Sequence, residues 1–384
     1  MAMKKIILGL TLALTLGSQV FAQNVIIPAP PELAASAYIL MDADSGEILV
    51  AKNEHEPLPP ASLVKLMTSF VAEQELQAGR IHWDETTRVS VRAWRTGGSR
   101  MFIQESTNVS IGDLLKGIII VSGNDASVAM AEHIAGTEEA FAGMMNQVAD
   151  SIGMRNTNFT NSTGLPDDNL FSTAYDMAIL SQAIIQQSPE YYPIYAEQSF
   201  TYNDITQNNR NLLLRRNPDV DGLKTGHTSA AGYCLAASAL TDGMRLIAVV
   251  MGSASDESRT QEVQTLLSYG FRYFKTHQLY EADQSLDDFT VWGGDQGAVT
   301  LGIEDKLFVT IPRGSENHLQ AVVNVPPVLR APIAEGEEVG QLVVMNGDEV
   351  IAERPVIAMT EVTEAGFFGR LWDSVRLFFW KMFN

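Results

Sequence analysis

The chain has 384 residues, which is long for a single hydrophobic core and predicts two or three domains. Its net charge is −20, and so acidic a protein repels phosphate, which excludes nucleic acid as a partner. Cys234 is the only cysteine and lies in an apolar stretch, so the chain can form no intrachain disulfide, and we expect a buried thiol.

The first 22 residues have the pattern of a secretory signal. Lys4 and Lys5 precede an apolar run over 6–17 that is too short to span a bilayer, and small residues lead to Ala22. We therefore predict cleavage after Ala22 and export. An uncleaved N-terminal anchor is the alternative.

The next elements predict a sheet covered by helices. A strand hairpin is expected over 37–51, and Pro59 and Pro60 then precede a helix over 62–76. Further helices are expected over 111–121, 126–134, 138–152, 173–187 and 262–274, and adjacent strands over 232–240 and 245–251, joined by a turn at Asp242 and Gly243. This order fits an antiparallel sheet flanked by helices (an α+β fold), and not a doubly wound parallel sheet.

The pattern changes after residue 274. Helical periodicity stops, and short alternating runs over 307–311, 319–325 and 341–344 predict strands. Asn346 and Gly347 indicate a hairpin turn. We expect a small all-β domain here.

The first of three chemically active strings is an S-x-x-K from Ser62 to Lys65. Its spacing places both side chains on one face of a helix, within reach of each other. A serine is a poor nucleophile until a base takes its proton, and a lysine can do so only when its pKa falls. Apolar neighbours and a second cation, Lys224, would lower it. Taken alone, this segment fits an ordinary helix cap and a solvated lysine better than a catalytic pair, and the two later strings reverse that preference.

Two further strings follow in order. Ser122-Gly123-Asn124 offers a hydroxyl and an amide in the break between two apolar helices. Lys224-Thr225-Gly226 is expected on an edge strand facing Ser62, where the lysine supplies positive potential, the threonine can bind a carboxylate and the glycine allows a substrate close to the strand.

Together the three strings resemble those of the penicillin-recognising serine enzymes, and the residues around them resemble the low-molecular-weight D-alanyl-D-alanine carboxypeptidases (peptidase S11-like). The resemblance runs from about 37 to 274. It implies the fold of DD-peptidases and serine β-lactamases, with Ser62 as nucleophile, Lys65 as base and Ser122 as proton relay.

The resemblance also implies the binding residues. Asn124 would hold the substrate amide, and backbone N–H groups of Ser62 and His227 would form the oxyanion hole beside Lys224, Thr225 and Gly226. Arg259 would bind the terminal carboxylate, with a role in capping a helix as the alternative.

Two more residues carry weaker expectations. Asp176 and Arg210 resemble residues that steady a loop beside the site, although Arg210 lies one position closer to the K-T-G string than the family pattern suggests.

The predicted substrate is a peptidoglycan stem pentapeptide, from which the terminal D-alanine is removed through an acyl-enzyme. β-Lactams are expected as covalent inhibitors, and neither a cofactor nor a metal is expected. The alternatives are a DD-endopeptidase, a β-lactamase or a non-catalytic wall-binding protein. Class A β-lactamases carry an E-x-x-x-N between the second and third strings. Here no asparagine lies four residues after Glu132, Glu138, Glu139, Glu190 or Glu197, which argues against that class.

The C-terminal residues 367–383 predict an amphipathic helix. Its apolar residues fall within an arc of about 160° at about 100° per residue, although Leu377 and Trp380 interrupt the polar face. Such an aromatic-rich helix with basic residues suits a membrane interface, whereas packing on its own domain is the alternative. We therefore predict four segments: a signal peptide (1–22), a catalytic domain (23–275), a β-rich domain (276–363) and a membrane-anchoring helix (364–384) on the periplasmic face of the inner membrane.

Overall fold

The computed structural model describes residues 27–383, so the predicted signal segment lies outside the described residues. Helices and strands alternate up to residue 273, and strands dominate beyond it. The helices are α1 (Val64–Gln77), α2 (Val91–Arg95), α3 (Ile111–Ile119), α4 (Asn124–Ala135), α5 (Glu138–Ser151), α6 (Ala174–Gln187), α7 (Leu213–Arg216), α8 (Asp256–Tyr273) and α9 (Phe367–Phe383).

The described strands form one five-stranded sheet, one six-stranded sheet and three strand pairs. They are β1 (Ala37–Asp42), β2 (Ile48–Lys52), β3 (Thr86–Arg88), β4 (Asn108–Ser110), β5 (Ser199–Tyr202), β6 (Ile205–Asn208), β7 (Val220–Thr228), β8 (Gly232–Thr241), β9 (Met244–Ser253), β10 (Phe274–Tyr280), β11 (Gln284–Trp292), β12 (Ala298–Ile303), β13 (Leu307–Pro312), β14 (Leu319–Asn324), β15 (Leu329–Arg330), β16 (Glu338–Asn346) and β17 (Glu349–Ala358).

The five-stranded sheet is antiparallel, in the order β2-β1-β9-β8-β7. Side chains of β1 alternate between its two faces. Ile39 joins the larger core beneath α1 and α3 to α6, whereas Leu40 joins the core beneath α8. The predicted α+β class and the predicted hairpin turn at Asp242 and Gly243, both with positive φ, are confirmed. Cys234 is buried in the larger core, as expected.

Two predicted helix starts need correction. Ser62 lies in a 3₁₀ turn, Ala61–Leu63, and α1 begins only at Val64; Ala61 itself has a left-handed backbone with φ of 49°, so no regular helix can include it. Helix α8 begins six residues earlier than predicted. Ser255 caps it by accepting from Ser258 N at 3.0 Å, and the first turn is too polar to show apolar periodicity.

The strand-rich part has its own core. Its six-stranded sheet has the order β14-β16-β17-β12-β11-β15, and β10 pairs with β13. The predicted strands are present here, but β10, β12 and β15 were not predicted, and neither was β11. Its alternation is interrupted at a bulge beside Asp287 and Asp288, so no clean period of two appears in the sequence.

Polar contacts join the two parts. Asp42, at the end of β1, accepts a hydrogen bond from Thr276 of β10, and the hydroxyls of Ser45 and Thr310 lie 2.6 Å apart. Since α8 runs directly into β10 at Phe274, the connection has no free linker.

Gly164 packs closely against the backbone of the turn that contains Ser62. It has φ of +76°, and a Cβ atom placed there would overlap the carbonyl oxygen of Ala61. A backbone atom cannot move aside as a flexible side chain can, so only glycine fits without displacing the turn that carries Ser62.

We expect Gly164→Ala to lower the melting temperature much more than Gly136→Ala. Gly136 has a similar φ of +80°, but a Cβ atom added there would have no neighbour within 4 Å, so the control carries only the cost of left-handed backbone, about 1–2 kcal/mol. Thermal unfolding of both variants measures the difference. Equal losses would show that the contact with Ala61 does not matter.

Candidate active site

Ser62 and Lys65 meet at the start of α1. Lys65 Nζ donates to Ser62 Oγ at 3.3 Å, so the spacing of three residues brings the two groups together even though Ser62 precedes the α-helix. Ser62 is half-buried and Lys65 is fully buried. The hydroxyl can therefore be reached from solvent while the amine lies in the interior.

The surroundings of Lys65 favour its neutral form. Burial lowers the pKa of Lys65 to about 7, and the nearby positive charge of Arg210 contributes to the lowering. Nζ also donates to Asn124 Oδ1 at 2.7 Å and to the carbonyl oxygen of Thr163. These acceptors hold the amine beside Ser62, at a pKa suited to accepting a proton near neutral pH.

The S-G-N string forms the predicted break before α4. Ser122 is buried and has φ of 61°, and Asn124 is the first residue of the helix. Asn124 also holds the loop over 97–99: its backbone N–H donates to Ser99 O and Nδ2 donates to Gly97 O, both at 2.7 Å. One residue thus connects the lysine, the break and the loop.

Asp125 was not identified from the sequence, yet it organises the same region. Its buried carboxylate accepts from the backbone N–H groups of Met101, Phe102 and Ile103 at 2.9, 2.9 and 3.2 Å. Burial raises its pKa, while these backbone donors oppose the rise. The available sequence signal was a carboxylate directly before the predicted apolar helix over 126–134. Such a position suggests burial, and a buried carboxylate needs several hydrogen-bond donors.

The K-T-G string lies on β7, the sheet edge that faces Ser62, as predicted. A Cβ atom on Gly226 would lie 3.1 Å from Ser62 N, so the strand and the serine turn are in close contact. Lys224 and Thr225 are buried, whereas His227 is exposed and contacts the Tyr233 ring at a centroid distance of 4.1 Å.

Lys224 is a second lysine whose charged form is disfavoured. Burial lowers its pKa well below the usual value, and the positive charges of Lys65, Arg210 and Arg259 lower it further. Nζ donates to Thr225 O at 3.2 Å. Two buried lysines and two arginines therefore concentrate basic side chains at this site, within a strongly acidic protein.

Arg259 supports β7 from behind. It is 5% exposed and donates through Nη1 to Gly226 O at 2.9 Å and Cys234 O at 3.1 Å, while Nη2 pairs with Asp256. It is therefore not the surface capping residue that the alternative interpretation described. Its guanidinium stabilises β7, the strand that contains the K-T-G string, by hydrogen bonds to the backbone.

Asp176 and Arg210 occupy different surroundings. Asp176 is buried near the start of α6 and accepts from Asn156 N at 2.8 Å and Thr157 Oγ1 at 2.6 Å, in the segment that leads to Thr163. Arg210 is exposed but near enough to lower the pKa of both lysines.

The hydrogen bond that Thr163 O accepts from Lys65 has no sequence signal, because it is made by a backbone carbonyl.

A cavity of about 510 Å³ opens beside the serine turn. Ala61, Gly164, Phe171 and Thr228 line it, among others, so it extends from the serine turn to the end of β7. Within residues 27–383, no group of three or more His, Cys, Asp or Glu side chains could hold a metal ion.

Two family models match the chain. Residues 24–255 match D-alanyl-D-alanine carboxypeptidase, and residues 274–364 match the C-terminal domain of penicillin-binding protein 5. The carboxypeptidase DacC of Escherichia coli is 44% identical over 92% of this chain and 90% of its own length. DacA of Haemophilus influenzae is 44% identical over 90% and 89%.

Solved structures agree. Penicillin-binding protein 5 from Haemophilus influenzae superposes with a TM-score of 0.85 at 43% identity, covering 88% of this chain and 100% of the other. Penicillin-binding protein D2 from Listeria monocytogenes, bound to cefotaxime, gives 0.59 at 29% identity, covering 64% and 100%. The predicted family and fold are thereby confirmed: the chain belongs to the serine D-alanyl-D-alanine carboxypeptidases, the penicillin-binding hydrolases of the bacterial cell wall.

Proposed function

We propose that Ser62 is the nucleophile and Lys65 the general base of this carboxypeptidase. The observation that carries the proposal is the 3.3 Å contact of Ser62 Oγ with an amine whose pKa burial lowers to about 7. Lys65 takes the hydroxyl proton as Oγ attacks the carbonyl carbon between the last two D-alanines of a stem pentapeptide. A covalent ester then joins Ser62 to the shortened peptide.

The remaining site residues complete the reaction. Backbone N–H groups of Ser62 and His227 stabilise the negative oxygen that develops on the carbonyl, a contribution typically worth about 3–4 kcal/mol per donor. Ser122 relays the proton that Lys65 took from Ser62 to the nitrogen of the departing D-alanine, which leaves as a neutral amine while both Lys65 and Ser122 return to their starting protonation. Water then hydrolyses the ester and restores the Ser62 hydroxyl.

The substrate would lie along β7. Thr225 binds the terminal carboxylate, and Gly226 leaves room for the peptide backbone. Asn124 Nδ2 donates one hydrogen to Gly97 O, and we assign its second hydrogen to a substrate carbonyl. Arg259, predicted as a direct carboxylate binder, is nearly fully buried, and we propose that it acts through the positive potential that it adds behind Gly226.

We further propose the domain limits 23–275 and 276–363, with export after cleavage at Ala22 and residence in the periplasm. Residues 364–384 would attach the protein to the outer face of the inner membrane. The exposed apolar residues of α9 support this attachment, and the intervening β domain would act as the spacer. The described residues contain no helix long and apolar enough to cross a membrane. The residues that make up this exposed face are Phe367, Phe368, Leu371, Trp372, Val375, Phe378, Phe379, Met382 and Phe383.

Ser62→Ala should abolish D-alanine release from a pentapeptide ending in D-Ala-D-Ala, because the variant lacks the hydroxyl that forms the ester. Labelled penicillin should bind the unmodified protein stably and the variant not at all. Ser151→Ala removes an exposed hydroxyl at the end of α5 and should retain full activity. Release by the Ser62 variant at the normal rate would remove Ser62 from the mechanism.

Acylation by penicillin should rise with pH and level off above the pKa of Lys65, about 7, because only the neutral amine accepts a proton. Arg210→Gln removes a positive charge that lowers this pKa, so the midpoint should move to higher pH. The measurement is the acylation rate from pH 5 to pH 10. Arg155→Gln, an exposed charge elsewhere, should leave the midpoint unchanged. An unmoved midpoint in the Arg210 variant would argue against Lys65 as the titrating base.

Phe379→Glu should weaken binding to lipid vesicles by roughly ten-fold or more, because it replaces a large apolar side chain on the exposed face of α9 by a charge. Val350→Glu is the matched control: Phe379 is 50% exposed and Val350, on β17, is 49% exposed. Co-sedimentation with vesicles measures both. Equal binding by the two variants would contradict attachment through α9.

A further inference from the structure

A cavity of about 360 Å³ lies between α9 and the six-stranded sheet. Its volume falls in the range of about 300–1,000 Å³ that is usual for small-ligand clefts. No role proposed above uses it. Its lining residues are Trp292, Gly293, Arg330, Ala331, Arg370, Asp373, Ser374, Leu377 and Phe378.

The polar side of α9 is fastened to the end of β11. Ala365 N donates to Gly293 O at 2.8 Å, and Gly293 N donates to Asp373 Oδ2 at 3.0 Å. Leu377, which interrupts the polar face in the sequence, is 6% exposed and lies on this side. These contacts fix the roll of the helix, so that its apolar face points away from the sheet.

The cavity therefore lies at a defined depth. A helix in the membrane interface buries its apolar face at the boundary between headgroups and acyl chains, and its polar side lies among the headgroups. Phe378 both lines the cavity and is 65% exposed, so it marks the border between the two levels. With α9 lying in the interface in this way, the cavity would open at the level of the lipid phosphates.

The lining chemistry suits an anion. Arg370 comes from α9 and Arg330 from β15, beside Trp292 on the neighbouring strand, so two arginines from different elements line the cavity. Guanidinium binds phosphate through two parallel N–H donors. Asp373 is the opposing charge in the lining, but it accepts from Gly293 N and pairs with Arg376 at 3.4 Å.

A further acidic residue pairs with one of these arginines. Glu364 contacts Arg370 at 2.5 Å, and both side chains are half exposed, so a phosphate could replace the carboxylate. Arg330 is exposed and does not belong to the amphipathic helix. If α9 bound the membrane through its apolar face alone, replacing Arg330 would not weaken the binding.

We propose that this cavity binds the phosphate headgroup of an anionic phospholipid, held between Arg330 and Arg370. The inference rests on the proposed membrane attachment through α9. Its consequence is that a lipid joins the helix to the β domain, and so fixes how the body stands on the membrane.

The test uses the full chain without residues 1–22, with vesicles of phosphatidylcholine alone or mixed with phosphatidylglycerol. We expect stronger binding to the mixed vesicles, and Arg330→Gln should reduce that binding about five-fold without changing binding to phosphatidylcholine. Arg330→Lys should recover only part of the loss, because it restores the charge but not the planar fork.

Lys306→Gln is the matched control, since it also removes one positive charge. Lys306 is exposed and lies near the opposite end of β11 from Trp292, about 26 Å away along the strand, beyond the screening length of about 8–10 Å. We expect less than a two-fold change. D-alanine release from a soluble peptide should be unchanged in every variant and so reports on catalysis separately.

Three results would overturn the inference. Equal binding to both kinds of vesicle would mean that α9 attaches by apolar contact alone. Full recovery by Arg330→Lys, or an equal loss in Lys306→Gln, would mean general charge attraction and no built headgroup site. None of these results tests the membrane attachment itself, which is tested separately by comparing Phe379→Glu with Val350→Glu.

Discussion

The burial of the Lys65 amine within reach of Ser62 is the constraint on which the site depends. An ammonium in the interior is costly unless it is neutralised or surrounded by acceptors. Here Thr163 O and Asn124 Oδ1 hold the amine, while burial and the positive charge of Arg210 lower its pKa. The burial that makes the lysine costly to place there also lowers its pKa to about 7, the range that the proposed general base requires.

This arrangement opposes stability. The pKa values of Lys65 and Lys224 are lower in the folded state than in the unfolded chain, so the folded state binds fewer protons. For Lys65 the penalty is fully present below about pH 7 and disappears as pH rises toward the unfolded value of 10.5. Other parts of the fold must offset this loss of stability. The close-packed helices of the larger core and the backbone donors around Asp125 contribute to that offset.

The strand-rich part and α9 bear on a different question, the proposed attachment to the membrane. A protein with a net charge of −20 is repelled by anionic lipid, so attachment needs an apolar face and local positive charge. The sequence suggested a choice between a helix in the membrane and a helix packed on its domain. The structure has features of both: Leu377 and Asp373 face the domain, while residues such as Phe368 and Phe379 are exposed.

The sequence by itself determined the family and the order of elements, and it supplied the residues proposed for the chemistry. Ser62, Lys65 and the two later strings, the helices between them and the change to strands after residue 274 could all be predicted, because periodicity and motif spacing are local properties. Tertiary structure alone decided the rest. The carbonyl of Thr163 and the contact of Gly164 with Ala61 involve backbone atoms about 100 residues away along the chain, which no local pattern records. Whether Lys65 is a base is likewise decided by burial, because a pKa depends on every element packed around the group.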